Sequence, residues 1–135
     1  FAVHEVGEDF SPYVEGVAQV VVRDLAGGVG AIAASIRERF AGRVDPQQSK
    51  GYTLDLVPTG VSKATGIEAI LRATGIRADE VMACGDSDND LSMLRLAGTS
   101  VVTANGQEEA KALATYLALG CDEDGVARAI EELVL

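Results

Sequence analysis

Between Val81 and Leu94 the chain reads VMACGDSDNDLSML. Asp86, Asp88 and Asp90 alternate along this stretch, with Asn89 between the last two. Carboxylates this close repel one another unless a cation or hydrogen bonds offset their charge. A hard divalent cation is the usual partner of such oxygens, and Mg²⁺ takes one or two protein carboxylates plus substrate phosphate. The same residue types also serve as plain turn and N-cap residues. On that balance Asp88 reads as a cap. Asp86, placed directly after an apolar run and Gly85, reads as a site residue. The second group that could do chemistry is Lys63, in PTGVSKATGI. A Lys in the first turn of a helix gains nothing from the helix dipole. Beside a phosphate, however, its ammonium and the free backbone N–H groups would both serve. A solvated surface Lys is the plain alternative.

The elements around these residues must bring them to one place. Val81–Cys84 suits a buried strand, and Leu91, Met93, Leu94 and Leu96 follow at helical spacing until Gly98. Strand, acidic turn and helix in that order put the turn at a strand's carboxyl end, where ligands sit in open α/β sheets. Ser62 is placed as an N-cap, Ile67, Ile70 and Leu71 as a helix face, and Gly75 as its stop. A helix crossing back over a parallel sheet starts on the carboxyl-end side, so Lys63 and Asp86 are permitted one pocket. After them come a short strand over 100–103, an Asn105-Gly106 turn, and a helix from Glu108 to about Leu113. Tyr116–Leu119 reads as a strand or a helix end, residues 122–125 as a turn, and Val126–Val134 as a last helix. Helices and strands alternating in this way predict an α/β domain around a parallel sheet. Before Gly60 the pattern is simpler. A strand is expected over 16–23, a helix from Val29 to Phe40, a polar turn-like stretch over 44–50, and a half-buried strand over Tyr52–Val57. Residues 1–16 read as loop or irregular helix. The expected division is a small α+β unit over 1–58 and an α/β unit over 59–135.

Composition narrows the chemistry. A chain of 135 residues suits one ordinary domain and buries about two thirds of its unfolded surface. Apolar residues make up 47 % and aromatics only 4 %, with no Trp, so the core must be aliphatic. No apolar run approaches a membrane span, and the first residues lack the basic start of a signal peptide. The net charge of −10 argues against nucleic acid, which needs clustered Lys and Arg. An anionic substrate must therefore be drawn by local positive groups. Cys84 and Cys121 form no metal-spacing pattern and read as free thiols of a reducing cytoplasm. His4 reads as a surface residue.

Lys63, followed by a strand and then Gly85-Asp86-Ser87-Asp88-Asn89-Asp90, resembles the third and fourth motifs of the haloacid dehalogenase superfamily. The likeness is to its Cof-type sugar-phosphatase branch and to phosphoglycolate and sucrose-phosphate phosphatases. VPTGVSKATGIEAIL, GIRADEVMACGDSDNDLSMLRLAG, VVTANGQEEAKALA and DEDGVARAIEEL follow in the family's order. The resemblance implies the C-terminal part of a Rossmann-like core, preceded by part of an α+β cap. It implies phosphoryl transfer through a phosphoaspartate, with a second aspartate two residues on as general acid and base, and Mg²⁺ as cofactor. Asp86 would then be a metal ligand, and Asp90 would support the metal directly or through water. Lys63 would neutralise the phosphate and hold the nucleophile, and Asn89 would hydrogen-bond near the phosphate. The implied partner is a small phosphorylated metabolite such as a sugar phosphate or phosphoglycolate.

The sequence departs from that family upstream of Lys63, where the family's Ser/Thr phosphate-binding motif is missing along with its nucleophile loop. The nucleophile's DxDGT-type loop should precede the cap, and nothing upstream of Lys63 fits; Asp9 has no second acid two residues on. Asp122-Glu123-Asp124-Gly125 spells D-x-D-G but reads as the turn and cap of the last helix. The chain, beginning with Phe1, is expected to be the latter half of a phosphatase and to have little activity alone. The alternative is a non-catalytic metal-binding or interaction domain, and a third reading makes the acidic turn purely structural. An incomplete sheet would also expose an edge and apolar surface, which predicts self-association or instability.

Overall fold

A computed structural model describes residues 17 and 19–135 of the chain. The expectations for residues 1–16, including His4 and Asp9, lie outside the described residues. The described residues form two three-stranded sheets, the first packing one apolar cluster and the second one on each face.

The first sheet contains β1 (Val20–Arg23), β2 (Val44–Lys50) and β3 (Thr53–Pro58) in the order β1-β3-β2, all antiparallel. Helix α1 (Val29–Arg39) joins β1 to β2. Val29, Ala33, Ile32 and Ile36 of α1 recur every three or four residues, so one stripe meets Leu54, Leu56 and Val22 of the sheet. The stretch over 44–50, expected to be a turn, is a strand. Its polar side chains and Pro46 are tolerated because β2 is an edge, where one row of backbone groups needs no partner. The unit is therefore strand, helix, strand, strand.

The chain leaves that sheet through Gly60, at φ +85°, a conformation L side chains rarely adopt. Then follow α2 (Lys63–Thr74), β4 (Met82–Gly85), α3 (Leu91–Leu96), β5 (Thr99–Thr103), α4 (Glu108–Lys111), β6 (Tyr116–Ala118) and α5 (Gly125–Leu133). The strands pair in parallel in the order β4-β5-β6. This is the expected α/β order, with Tyr116–Ala118 resolved as a strand and α4 two residues shorter than read. Successive strand residues alternate between the sheet's faces. Ala83 and Val102 pack with Leu94 of α3 and Ala110 of α4. Met82, Cys84, Val101 and Ala118 pack on the opposite side with Ala129 of α5. Covered on both faces, β5 holds Ser100, Val101 and Val102 in the interior, as a parallel sheet requires. The hydroxyl of Ser100 is satisfied there by donating to the C=O of Leu113 at 2.5 Å. No helix among the described residues is long and apolar enough to cross a membrane.

The two units touch where β2 lies beside the turn at Asp88–Asp90 and Gln47 Nε2 donates to the C=O of Val61 at 3.0 Å. The carboxyl ends of β4 and β5 thus face the first sheet.

Candidate functional site

Strand β4 delivers the chain to Gly85, and the loop then folds over it. A Cβ at position 85 would lie 2.6 Å from Cβ of Asp90 and 2.8 Å from its carboxyl carbon, so glycine alone permits the approach. Asp90 closes a single turn of 3₁₀-helix (Asp88–Asp90) and is 3 % exposed. Its Oδ2 accepts the backbone N–H groups of Asp86 at 3.0 Å and Ser87 at 3.1 Å. Its Oδ1 accepts the ammonium of Lys63. Burial by itself would raise the Asp90 carboxyl, but the Lys63 hydrogen bond, the two loop N–H groups and the lysine's charge outweigh it. The net position is below the ordinary carboxylate range. One buried carboxylate therefore sets the loop's shape and anchors the lysine.

Lys63 reaches this point because α2 starts where it does. Ser62 Oγ accepts the N–H of Thr65, while Thr65 Oγ1 accepts the N–H of Ser62 at 2.9 Å, a reciprocal cap. Gly75, at φ +76°, ends the helix as its pattern predicts. The lysine side chain is about half exposed. It lines a cavity of about 370 Å³ together with Asp86, Ser87, Asn89 and Asp90. Lys63 and the four residues named from the acidic turn, Asp88 excepted, thus share one space.

Their employment differs. Asp86 is exposed, and no described residue donates to its carboxylate. Its C=O is held by the N–H of Gln107 at 2.8 Å. Ser87 Oγ donates to Asn89 Oδ1 at 2.8 Å, which fixes that carboxamide and leaves its NH₂ for another acceptor. Asp88 is exposed and makes no capping bond; the loop N–H groups donate to Asp90 instead, a correction to the reading of Asp88 as the cap. Asp122 and Asp124 are exposed and lie away from the cavity, with Asp124 at φ 57° leading into α5. They form the turn before α5, but Asp124 makes no side-chain capping bond, and it is the Glu123 carboxylate that accepts the N–H of Gly120 at 3.3 Å within this turn.

The sequence reading missed Asn105 and Gln107, which also line the cavity. Asn105 Oδ1 accepts the N–H of Cys121 at 2.9 Å, so its NH₂ is left over in turn. The signal was present: an Asn-Gly turn at the carboxyl end of the neighbouring parallel strand occupies the same rim as Asp86.

Among the described residues no three His, Cys, Asp or Glu side chains converge to hold a metal. The donor set is one uncommitted carboxylate, Asp86, beside one committed one, Asp90. This set suits Mg²⁺, which needs few protein carboxylates when water and phosphate oxygens complete it. It does not suit a cation requiring a full protein cage.

Residues 1–130 match the family model of the haloacid dehalogenase-like hydrolases. A chloroplastic endoribonuclease, YBEY of Arabidopsis thaliana, is 36 % identical over 115 residues, 84 % of this chain but 20 % of that protein. The 5-amino-6-(5-phospho-D-ribitylamino)uracil phosphatase YitU of Bacillus subtilis is 31 % identical over 120 residues, 87 % of this chain and 44 % of that one. The crystal structure of a haloacid dehalogenase-like hydrolase from Bacteroides thetaiotaomicron superposes with a TM-score of 0.82 at 37 % identity, covering 96 % of this chain and 49 % of that one. The chain thus spans half or less of the length of these relatives. A loop folded around Asp90, the lysine it anchors and a match along nearly the whole chain agree, and the chain belongs to the haloacid dehalogenase-like hydrolases.

Proposed function

We propose that this chain supplies the lysine and acidic-loop half of a Mg²⁺-dependent phosphatase for small phosphorylated metabolites, of the sugar phosphate or phosphoglycolate kind. The observation that carries it is the salt bridge from Lys63 to the buried Asp90, which holds the ammonium on the cavity that Asp86 also lines. Catalysis of phosphoryl transfer is mostly positioning and cancellation of charge. Lys63 would bind a phosphate oxygen while Asp90 keeps its ammonium in place. Asn89 would donate its free NH₂ to a second oxygen. Asp86 would hold Mg²⁺, with Asp90 acting behind it. A bound Mg²⁺ would add a positive charge against the phosphoryl oxygens. The attacking carboxylate would come from outside these 135 residues, in keeping with the chain's partial span of its relatives. The name of the Bacillus subtilis relative supports the reaction class. The Arabidopsis name does not redirect it, because four fifths of that protein lies outside the match and a net charge of −10 suits RNA poorly.

Titration of the chain with Mg²⁺ and orthophosphate by calorimetry tests this. Asp86→Asn is expected to lose Mg²⁺ binding, and Lys63→Met to lose phosphate binding with Mg²⁺ present. Unchanged Mg²⁺ binding in Asp86→Asn retires Asp86 as a ligand. Metal-dependent phosphate release by the wild-type chain alone would show that its nucleophile lies within it.

A further inference from the structure

We propose that the cleft between the two sheets holds a second anion site, built from Arg37 and Arg95. The substrate would then carry a second oxyanion at the end remote from the phosphate on Lys63. The inference rests on the phosphatase reading above.

A cavity of about 480 Å³ opens between the units. The last turn of α1 contributes Arg37 and β2 contributes Gln47 and Gln48, while Ser92 and Arg95 come from α3 on the opposite side. Arg37 is fixed in place, because its Nη2 donates to the C=O of Pro46 in β2 at 3.0 Å. A guanidinium has five N–H donors, so this bond leaves four for other acceptors. Neither arginine forms an ion pair with a described acid; the described ion pairs involve Lys63, Arg77 and Lys111. This is notable in a chain with 21 acidic and 11 basic residues, where carboxylates are plentiful. Among the described residues Asp88 is the one acid lining the cavity, against two arginines. Planar forks matched to oxygen pairs recognise carboxylate and phosphate. A neutral polyol end would need only the two glutamine amides.

The cleft is continuous with the first site. Asn89 lines both this cavity and the one shared by Lys63 and Asp86. A third space touches both Lys63 and Asn89 and reaches Gln47 and Asp55 of the first sheet. A molecule with its phosphate on Lys63 can therefore extend past Asn89 toward the arginines.

Three compounds on one six-carbon frame test this by NMR titration of the ¹⁵N-labelled chain in Mg²⁺. Glucitol 6-phosphate has one anionic end, 6-phosphogluconate adds a carboxylate, and glucitol 1,6-bisphosphate adds a phosphate. All three are expected to shift the Lys63 and Asn89 amides. The two compounds with an anionic group at each end should also shift the Arg37 and Arg95 Nε–Hε signals and bind about tenfold tighter. Arg37→Gln and Arg95→Gln should each remove that preference while leaving glucitol 6-phosphate binding intact. Arg37→Lys, which keeps the charge without the fork, should restore only part of it. The relative gain of the carboxylate and the phosphate identifies which oxyanion the site takes. Equal affinity for all three, with the Lys63 and Asn89 shifts retained, overturns this inference alone. Silence at Lys63 and Asn89, with the arginine signals still answering citrate, overturns the phosphatase reading and leaves the anion site standing. Arginine signals that answer none of the four compounds overturn the second site.

Discussion

Asp90 carries more of the local structure than any other residue in the turn. Two loop N–H groups and the Lys63 ammonium converge on a carboxylate almost wholly withdrawn from water. Asp90→Ala orphans these donors together, and the expected cost is about 2–3 kcal/mol in urea denaturation at neutral pH. The pH dependence follows from the direction of its shift. Its folded carboxyl sits below the ordinary value, so its contribution is complete above about pH 4, the unfolded carboxyl range. That contribution is lost as pH falls through the lower folded value. The stability gap between wild type and Asp90→Asn should therefore be constant from pH 7 down to about 4 and close only below that. A gap that closes between pH 5 and 7 assigns the effect to another group. Asp86 differs in kind, since removing an exposed carboxylate with no described donor should leave the fold's stability within about 0.5 kcal/mol of wild type.

At the scale of elements, Ser62 shows what a single local signal controls. Its hydroxyl and that of Thr65 tie the first turn of α2, and the first residue of that turn is Lys63 itself. Ser62→Ala should cost about 1 kcal/mol, read by urea denaturation, because one helix N–H loses its acceptor. This part of the architecture was readable from residues because caps, Gly75 and helical spacing act over a few positions. The acidic turn was readable for the same reason: strand, glycine, acids and helix are contiguous. β2 was not readable, because Asp45, Pro46, Gln47 and Gln48 say turn locally while pairing with β3 is settled by distant partners. Asn105 escaped for a related reason. The Asn-Gly turn marks the end of a strand, but its place beside Asp86 also needs the register of β5 against β4, with Gly85 opposite Val102, which the turn alone does not state. The employment of Asp90 was likewise hidden, since spacing tells that three acids are near one another but not which one turns inward.

At the scale of the whole molecule, the edges of the first sheet are unequal. Among the described residues β1 and β2 both present an unpaired backbone row. β2 carries Asp45 and Pro46, the kinds of residue that block strand addition. β1 is Val-Val-Val-Arg, with Val20 48 % and Val21 52 % exposed. Beside it lies an apolar groove of about 270 Å³ formed by Val20, Ile36, Phe40, Val44 and Leu56. An exposed apolar edge next to an apolar groove is a template for another strand. The chain should therefore self-associate through β1, visible as a sedimentation coefficient that rises with concentration. Val21 pairs opposite Asp55 in β3, so a lysine there meets a carboxylate within its own chain and remains compatible with the fold. In an assembly that extends the sheet, the same lysine places charge on the seam. Val21→Lys should accordingly sediment as a monomer at concentrations where wild type does not, with an unchanged urea midpoint. If Val21→Lys associates as wild type does, the contact lies elsewhere, and the unpaired side of β4 is the next edge to test. If wild type stays monomeric throughout, the exposed valines of β1 do not drive association.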